Sequence, residues 1–179
     1  LSASAIPFDT YSPVPRAMTR EDMDTVLAQH VDAVKRADAA GFDMIEMHAA
    51  HGYLLSSFVT PVLNQRDDEY GGSMENRLRY PIEVCRAMRA AWPTHKPMSV
   101  RISAHDWMGE LGSTEKEALL IAESFIDAGA DIINVSTGQT SHSAKPQPGR
   151  MFQTPLSDII RNDGRIPTIA VGNIYETDH

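Results

Sequence analysis

Residues 42–77 read FDMIEMHAAHGYLLSSFVTPVLNQRDDEYGGSMENR, and this is the most informative stretch of the chain. A short apolar run ends in two histidines three residues apart, His48 and His51, and then in Tyr53. The pattern predicts a strand that delivers proton-handling side chains to its C-terminal end, followed by a turn-rich loop and a helix start. Active sites of parallel α/β proteins lie at that end of the sheet. The stretch therefore predicts an α/β protein with a site after its first strand.

The composition is that of an ordinary globular protein. The chain has 179 residues, of which 42% are hydrophobic and 22% charged, enough for one domain with a core. Its net charge of −8 argues against a nucleic-acid or anionic-membrane binder, because phosphate affinity needs clustered lysine and arginine. No apolar run approaches the ~20 residues that span a bilayer. The single cysteine, Cys85, excludes an intrachain disulfide, and it is predicted to pack in the core at an apolar helix position. We expect a cytoplasmic protein.

Helical and strand patterns alternate along the chain. Residues 1–17 show no periodicity and are predicted to form a loop. Helices are predicted to begin at the N-caps Thr19, Ser73 and Thr114, and a short helix is predicted over 156–161. Strands are predicted at 43–48, 98–103, 131–136 and 167–171, with long loops up to 71 and over 137–153. The order αβαβαβαβ predicts a parallel sheet.

Polar residues share one face of three predicted strands. Strands of a parallel sheet are usually apolar on both faces, because helices cover them on both sides. Here the polar set is Glu46, His48, Ser99, Arg101, Ser103, Asn134 and Ser136. An unpaired buried charge is costly, so this face is expected to line a polar interior, as in a barrel with its site at the C-terminal mouth. A complete (β/α)8 TIM barrel takes ~250 residues, so four βα units predict a partial barrel.

The cluster His48, His51 and Tyr53 admits two kinds of chemistry. Two converging imidazoles can bind a metal, although a third ligand is missing nearby. They can equally donate two hydrogen bonds to one carbonyl oxygen and stabilise the charge that develops there. Tyr53 can then act as a proton donor.

Two further positions suggest ligand binding. Arg101 is a charged residue inside the predicted sheet, where it either pairs with Glu46 or stands next to an electron-rich cofactor ring or an anion. Gly172 and Asn173 follow the last predicted strand, where backbone amides of barrel proteins bind phosphate. The sequence has no GxGxxG and no P-loop lysine motif, so a Rossmann or Walker-type nucleotide site is not supported.

Nearly the whole chain resembles the central part of an old yellow enzyme barrel, of the subclass that carries His-Ala-Ala-His-Gly-Tyr. The matching segments are SAIPFD (4–9), PRAMT (15–19), the stretch 41–77, VRIS (100–103), GADIINVSTG (129–138) and IAVGNI (169–174). Segment 138–161 is more similar to the reductase half of fused flavoproteins that act on aromatic acyl-CoA thioesters.

The resemblance implies FMN as the cofactor and NADH or NADPH as the reductant of an ene-reductase. It implies that His48 and His51 bind the substrate carbonyl, that Tyr53 donates a proton, and that Arg101 contacts the pyrimidine end of FMN. Gly172 and Asn173 would help to hold its phosphate. The expected substrate is a small molecule with an activated alkene, a class that includes CoA thioesters.

On this alignment residues 1–179 are the central portion of a single barrel domain, with the family's strands four to seven. The chain begins at Leu1 and ends soon after a predicted strand, so we expect it to be a piece of a longer polypeptide. Its two open strand edges predict a homo-oligomer. Two alternatives stay open: a non-catalytic half-barrel without flavin, and a metal-dependent hydrolase that uses His48 and His51.

Overall fold

The computed structural model describes residues 1–176 and has the predicted parallel α/β architecture. Four parallel strands form one sheet in the order β1-β2-β3-β4. They are β1 (Ile45–Ala49), β2 (Met98–Ser103), β3 (Ile132–Ser136) and β4 (Thr168–Ala170). The helices are α1 (Arg20–Ala39), α2 (Leu54–Val59), α3 (Met74–Ala91), α4 (Glu115–Asp127) and α5 (Thr154–Asp158). No helix of residues 1–176 is long and apolar enough to cross a membrane.

The three predicted N-caps begin helices. Thr19 and Thr114 each form a capping box, in which the cap side chain and an acidic residue three positions on satisfy each other's backbone amides. Ser73 accepts a hydrogen bond from the amide of Asn76 at the start of α3. Local side-chain chemistry therefore fixes where these helices start, and it was readable from the sequence.

Helix α2 was not predicted, because residues 54–59 lie in the stretch interpreted as a loop. Five of its six residues are buried, including both serines, so the helix has no polar face and shows no amphipathic period. The last helix also differs: α5 begins two residues before the predicted start, and a π-helical turn, Ile159–Asp163, extends it.

The core lies between the apolar face of the sheet and the helices. The largest fully buried side chains include Trp92, Tyr80, Phe58 and Phe125. Cys85 has no exposed surface, which confirms the predicted packing role, and burial raises the pKa of its thiol to about 12.

The opposite face of the sheet is polar, as predicted from strand parity. The register places Glu46 beside Ser99 on the neighbouring strand. The Glu46 carboxylate accepts hydrogen bonds from the Ser99 hydroxyl at 2.8 Å and from the Asn134 amide at 2.9 Å. Glu46 is thus paired with neutral donors and not with Arg101, which leaves the guanidinium for another partner.

Candidate functional site

The structure brings His48, His51 and Tyr53 together at the C-terminal end of β1. The ring centroids of the two histidines are 5.2 Å apart, and those of His48 and Tyr53 are 5.4 Å apart. A tight turn makes this possible, since His51 and Gly52 both have a positive φ, 64° and 70°. Tyr53 is the N-cap of α2, so the orientation of that helix sets the position of the phenol.

The backbone sets the proton position on His48. Its Nδ1 accepts a hydrogen bond from the amide of Ala50 at 3.3 Å. A ring nitrogen that accepts a hydrogen bond carries no proton, so in the neutral ring the proton lies on Nε2. His48 therefore presents an Nε2–H donor to a ligand.

His51 is held by two serines at the ends of the neighbouring strands. Its amide donates to the Ser103 hydroxyl at 2.8 Å, and its Nε2 lies 2.7 Å from the Ser136 hydroxyl. The hydroxyl of Ser136 also accepts a hydrogen bond from Nη2 of Arg101 at 3.5 Å. When Ser136 donates to Nε2, the proton of the neutral ring lies on Nδ1, and His51 has a donor for a ligand.

The surroundings of both histidines favour the neutral imidazole. Burial first, and then the positive charge of Arg101, lower the pKa of His48. The same two causes, followed by the proximity of His48, lower the pKa of His51 to about 4. Neutral imidazoles give each ring one donor nitrogen, which suits hydrogen bonding to a carbonyl oxygen.

Arg101 and Gly172 line one cavity of about 300 Å³, together with His51. Nε of Arg101 is buried and finds no hydrogen-bond partner among the described residues. The cavity therefore has a fixed positive charge in its wall, which favours an anionic or acceptor-rich ligand. Its remaining lining residues are Trp107, Ser136, Thr137, Gly138, Gln139, Pro146, Phe152, Gln153 and Val171.

Asn173 lies outside this cavity. Its side-chain amide donates to the carbonyl of Gly149 at 2.9 Å, and its backbone carbonyl accepts from the amide of Met151 at 3.3 Å. In this structure Asn173 shapes the turn after β4 and meets the β3–α5 loop, while Gly172 is the member of the pair that reaches the cavity.

Tyr53 lines a second cavity, of about 490 Å³, which His51 also lines. The phenol is 65% exposed, so a ligand has direct access to it. The N-terminal loop contributes apolar walls from Ile6, Phe8, Pro13 and Pro15. His51 and Gln139 line both this cavity and the Arg101 cavity.

The metal-site alternative has no ligand set in the described part of the chain. Among residues 1–176, no three histidine, cysteine, aspartate or glutamate side chains are grouped so that they could hold a metal ion. His48 and His51 remain a pair, which is fewer ligands than catalytic zinc sites use.

Sequence reasoning missed two residues that shape the Arg101 cavity. Gln153 accepts from the Thr137 hydroxyl at 2.6 Å and donates to the carbonyl of Val171 at 3.1 Å, so it joins the ends of β3 and β4. Gly172 has a φ of 100°, which favours glycine, and a Cβ there would also stand 2.3 Å from Nε2 of Gln153. Trp107 has a positive φ of 59° and a buried, unpaired indole N–H. Neither residue carries a motif that marks it in the sequence.

Known proteins resemble this chain along its length. The model of the NADH:flavin oxidoreductase / NADH oxidase family matches residues 2–179. An NADPH dehydrogenase of Clostridium acetobutylicum is 42% identical over 177 residues, covering 98% of this chain and 51% of the relative. An NADH oxidase of Thermoanaerobacter brockii is 36% identical, covering 99% of this chain and 28% of the relative. A solved 2-naphthoyl-CoA reductase superposes with a TM-score of 0.83 at 27% identity, covering 94% of this chain and 26% of that one.

The chain spans about half the length of the first of these relatives. The matches confirm the predicted resemblance to old yellow enzyme-type flavin oxidoreductases. The chain belongs to the NADH:flavin oxidoreductase / NADH oxidase family.

Proposed function

We propose that the protein containing this chain is an FMN-dependent oxidoreductase that uses NADH or NADPH to reduce an activated C=C bond of a small molecule. Family membership supports the cofactor and the reductant. The observation that carries the choice of reaction is the cluster His48, His51 and Tyr53, which lies next to the Arg101 cavity. Two neutral imidazoles and a phenol are the groups needed to polarise a carbonyl and to protonate its α-carbon.

The described residues fit one end of the cofactor. Arg101 lines the same cavity as Gly172. Its guanidinium would hydrogen-bond acceptor atoms of the pyrimidine ring of FMN and would stabilise negative charge on the ring. Backbone amides at Gly172 would contribute to phosphate binding. FMN, when bound, supplies the hydride that it has received from NADH or NADPH.

His48 and His51 bind the substrate by its carbonyl oxygen. His48 donates from Nε2, because Nδ1 is occupied by the amide of Ala50. His51 donates from Nδ1 in the tautomer in which the Ser136 hydroxyl donates to Nε2. The two hydrogen bonds polarise the adjacent C=C bond and stabilise the enolate oxygen once the β-carbon has been reduced.

Tyr53 completes the reduction by protonating the α-carbon. The phenol lines the cavity that His51 shares, and it is accessible to ligand. The hydroxyl gives its proton to carbon, and solvent returns a proton to the phenolate, which the open position of Tyr53 permits. The saturated carbonyl compound is then released.

The fold supports a partial barrel made of the family's strands four to seven. β1 and β4 each pair on one side only in the described residues, and further strands of a (β/α)8 barrel would complete the sheet. Those strands and their loops would supply the rest of the FMN site. We therefore propose that residues 1–179 alone do not retain FMN and that their open edges self-associate. A cytoplasmic location is part of the same proposal.

The substrate class includes aromatic CoA thioesters. A structural neighbour is named 2-naphthoyl-CoA reductase, in complex with 2-naphthoyl-CoA. A thioester carbonyl conjugated to a C=C bond meets the same two histidines as the carbonyl of an enone.

A half-reaction experiment on the complete protein tests the proposal. The purified protein should show flavin absorbance bands, which NADPH bleaches in the absence of oxygen. Addition of 2-cyclohexenone should restore the bands, with one alkene reduced for each flavin reoxidised. A colourless protein with a tightly bound metal would favour the hydrolase instead, and a flavin that no enone reoxidises would refute the ene-reductase assignment.

A further inference from the structure

A buried carboxylate outside the proposed chemistry joins three loops at the site end of the sheet. Asp106, three residues after β2, is 1% exposed. One carboxylate oxygen accepts the hydroxyl of Thr60 at 2.6 Å and the amide of Ser113 at 2.7 Å. The other accepts the hydroxyl of Thr140 at 2.5 Å. These donors are neutral, and hydrogen bonds to a charged acceptor are short and strong.

The three donors belong to different segments. Thr60 is the C-cap of α2, Ser113 precedes α4, and Thr140 lies in the loop between β3 and α5. Burial of a charge costs free energy unless the charge is fully hydrogen-bonded. Removal of one donor therefore destabilises the folded arrangement around the carboxylate. Asp106 therefore keeps these segments at fixed distances from one another.

Two of these segments adjoin the turn formed by His51, Gly52 and Tyr53. The backbone of Thr140 lies directly on Gly52, since a Cβ on Gly52 would stand 3.1 Å from the Cα of Thr140. Gly52 connects His51 to Tyr53, and Tyr53 begins α2. Asp106 thus acts on α2 at its C-terminal end through Thr60 and at its N-terminal end through Thr140.

We propose that Asp106 is a positioning residue that holds His51 and Tyr53 in place by clamping both ends of α2. Asp106 does not line the cavity that contains these two side chains, so it acts through Thr60 and Thr140. The consequence for catalysis rests on the proposed function, whereas the placement of His51 does not.

The test removes one arm of the clamp without changing its shape. Thr140→Val deletes the hydroxyl and leaves Asp106 with two donors, so the fold is retained. Thr140→Ser keeps the hydroxyl and should restore the wild-type behaviour. Thr25→Val is the matched control, because Thr25 makes a comparable 2.8 Å hydrogen bond on the exposed face of α1.

The readout is the pKa of His51, measured by NMR titration of the imidazole. The Gln139–Thr140 backbone covers the turn, so a loosened loop admits water to His51 and reverses part of the effect of burial. Thr140→Val should raise the pKa of His51 by about one unit, and Thr60→Val should act in the same direction. Thr140→Ser and Thr25→Val should leave it within about 0.3 units of wild type.

An unchanged His51 pKa in both Thr140→Val and Thr60→Val would overturn the proposal. An equal rise in Thr25→Val would do the same, because it would show a general effect of stability. The measurement needs no flavin, so a result that overturns the role of Asp106 is distinguishable from a result that overturns the proposed function. If Asp106 positions His51 and Tyr53, Thr140→Val in the complete protein should lower kcat for alkene reduction by a larger factor than it raises KM.

Discussion

Replacement of His51 by asparagine should change how stability depends on pH. Asparagine tolerates the positive φ of His51 better than most residues, so the turn should survive the change. Burial lowers the pKa of His51 from 6.5 to about 4 in the folded chain. The unfolded chain therefore binds more protons than the folded chain between these two pH values. Linkage then requires the free energy of unfolding to fall as pH decreases from 6.5 towards 4.

The magnitude follows from the size of the shift. The drop in the His51 pKa from 6.5 to about 4 corresponds to about 3.4 kcal/mol in total, since one pKa unit is worth about 1.4 kcal/mol. His51 is only half-buried, and screening by solvent reduces the effect to about 1–2 kcal/mol. Below pH 4 the folded chain also takes up the proton, and the loss stops.

Urea unfolding of wild type and His51→Asn between pH 4 and pH 7.5 measures this effect. Contributions of other titrating groups are common to both proteins and cancel in the difference between their free energies of unfolding. Above pH 7 that difference should be constant. Between pH 7 and pH 4 the wild type should become less stable, relative to His51→Asn, by about 1–2 kcal/mol. A difference that stays flat over the whole range would refute a neutral, desolvated His51.

Three further predictions concern the chain as it stands. Residues 1–179 should show no flavin absorbance after purification and should self-associate in light scattering; a flavin-loaded monomer would contradict the half-barrel. Cys85 should not react with a thiol reagent at pH 8 until denaturant is added, because it is buried and burial raises its pKa to about 12; rapid labelling of the native chain would contradict this. Phe58→Ala should lower the free energy of unfolding by ~3–5 kcal/mol, because the side chain is fully buried in α2, and a loss below ~1 kcal/mol would place α2 outside the core.

Strand ends and helix caps could be predicted because their signals are local. Thr19 and Thr114 carry their capping partners three residues away, and the alternation of Glu46 and His48 on one strand revealed the polar face. That His48 and Arg101 share the polar face was predictable from strand parity, and the register places them beside each other on neighbouring strands.

The rest of the site depends on contacts between distant residues. Asp106 meets donors 46 and 34 residues away, and nothing near it in the sequence announces them. Gln153 was assigned to the end of a loop, yet it joins β3 to β4. Helix α2 was not predicted for a related reason. It is stabilised by tertiary burial and shows no amphipathic pattern in the sequence.

Replacement of Tyr53 by phenylalanine in the complete protein tests the central claim most directly. Stopped-flow absorbance separates flavin reduction by NADPH from flavin reoxidation by an enone. Tyr53→Phe should slow reoxidation by ~10²–10⁴-fold, because the proton donor is lost, while the rate of reduction should stay near wild type. An equal loss in both half-reactions, or no loss in either, would contradict Tyr53 as the proton donor.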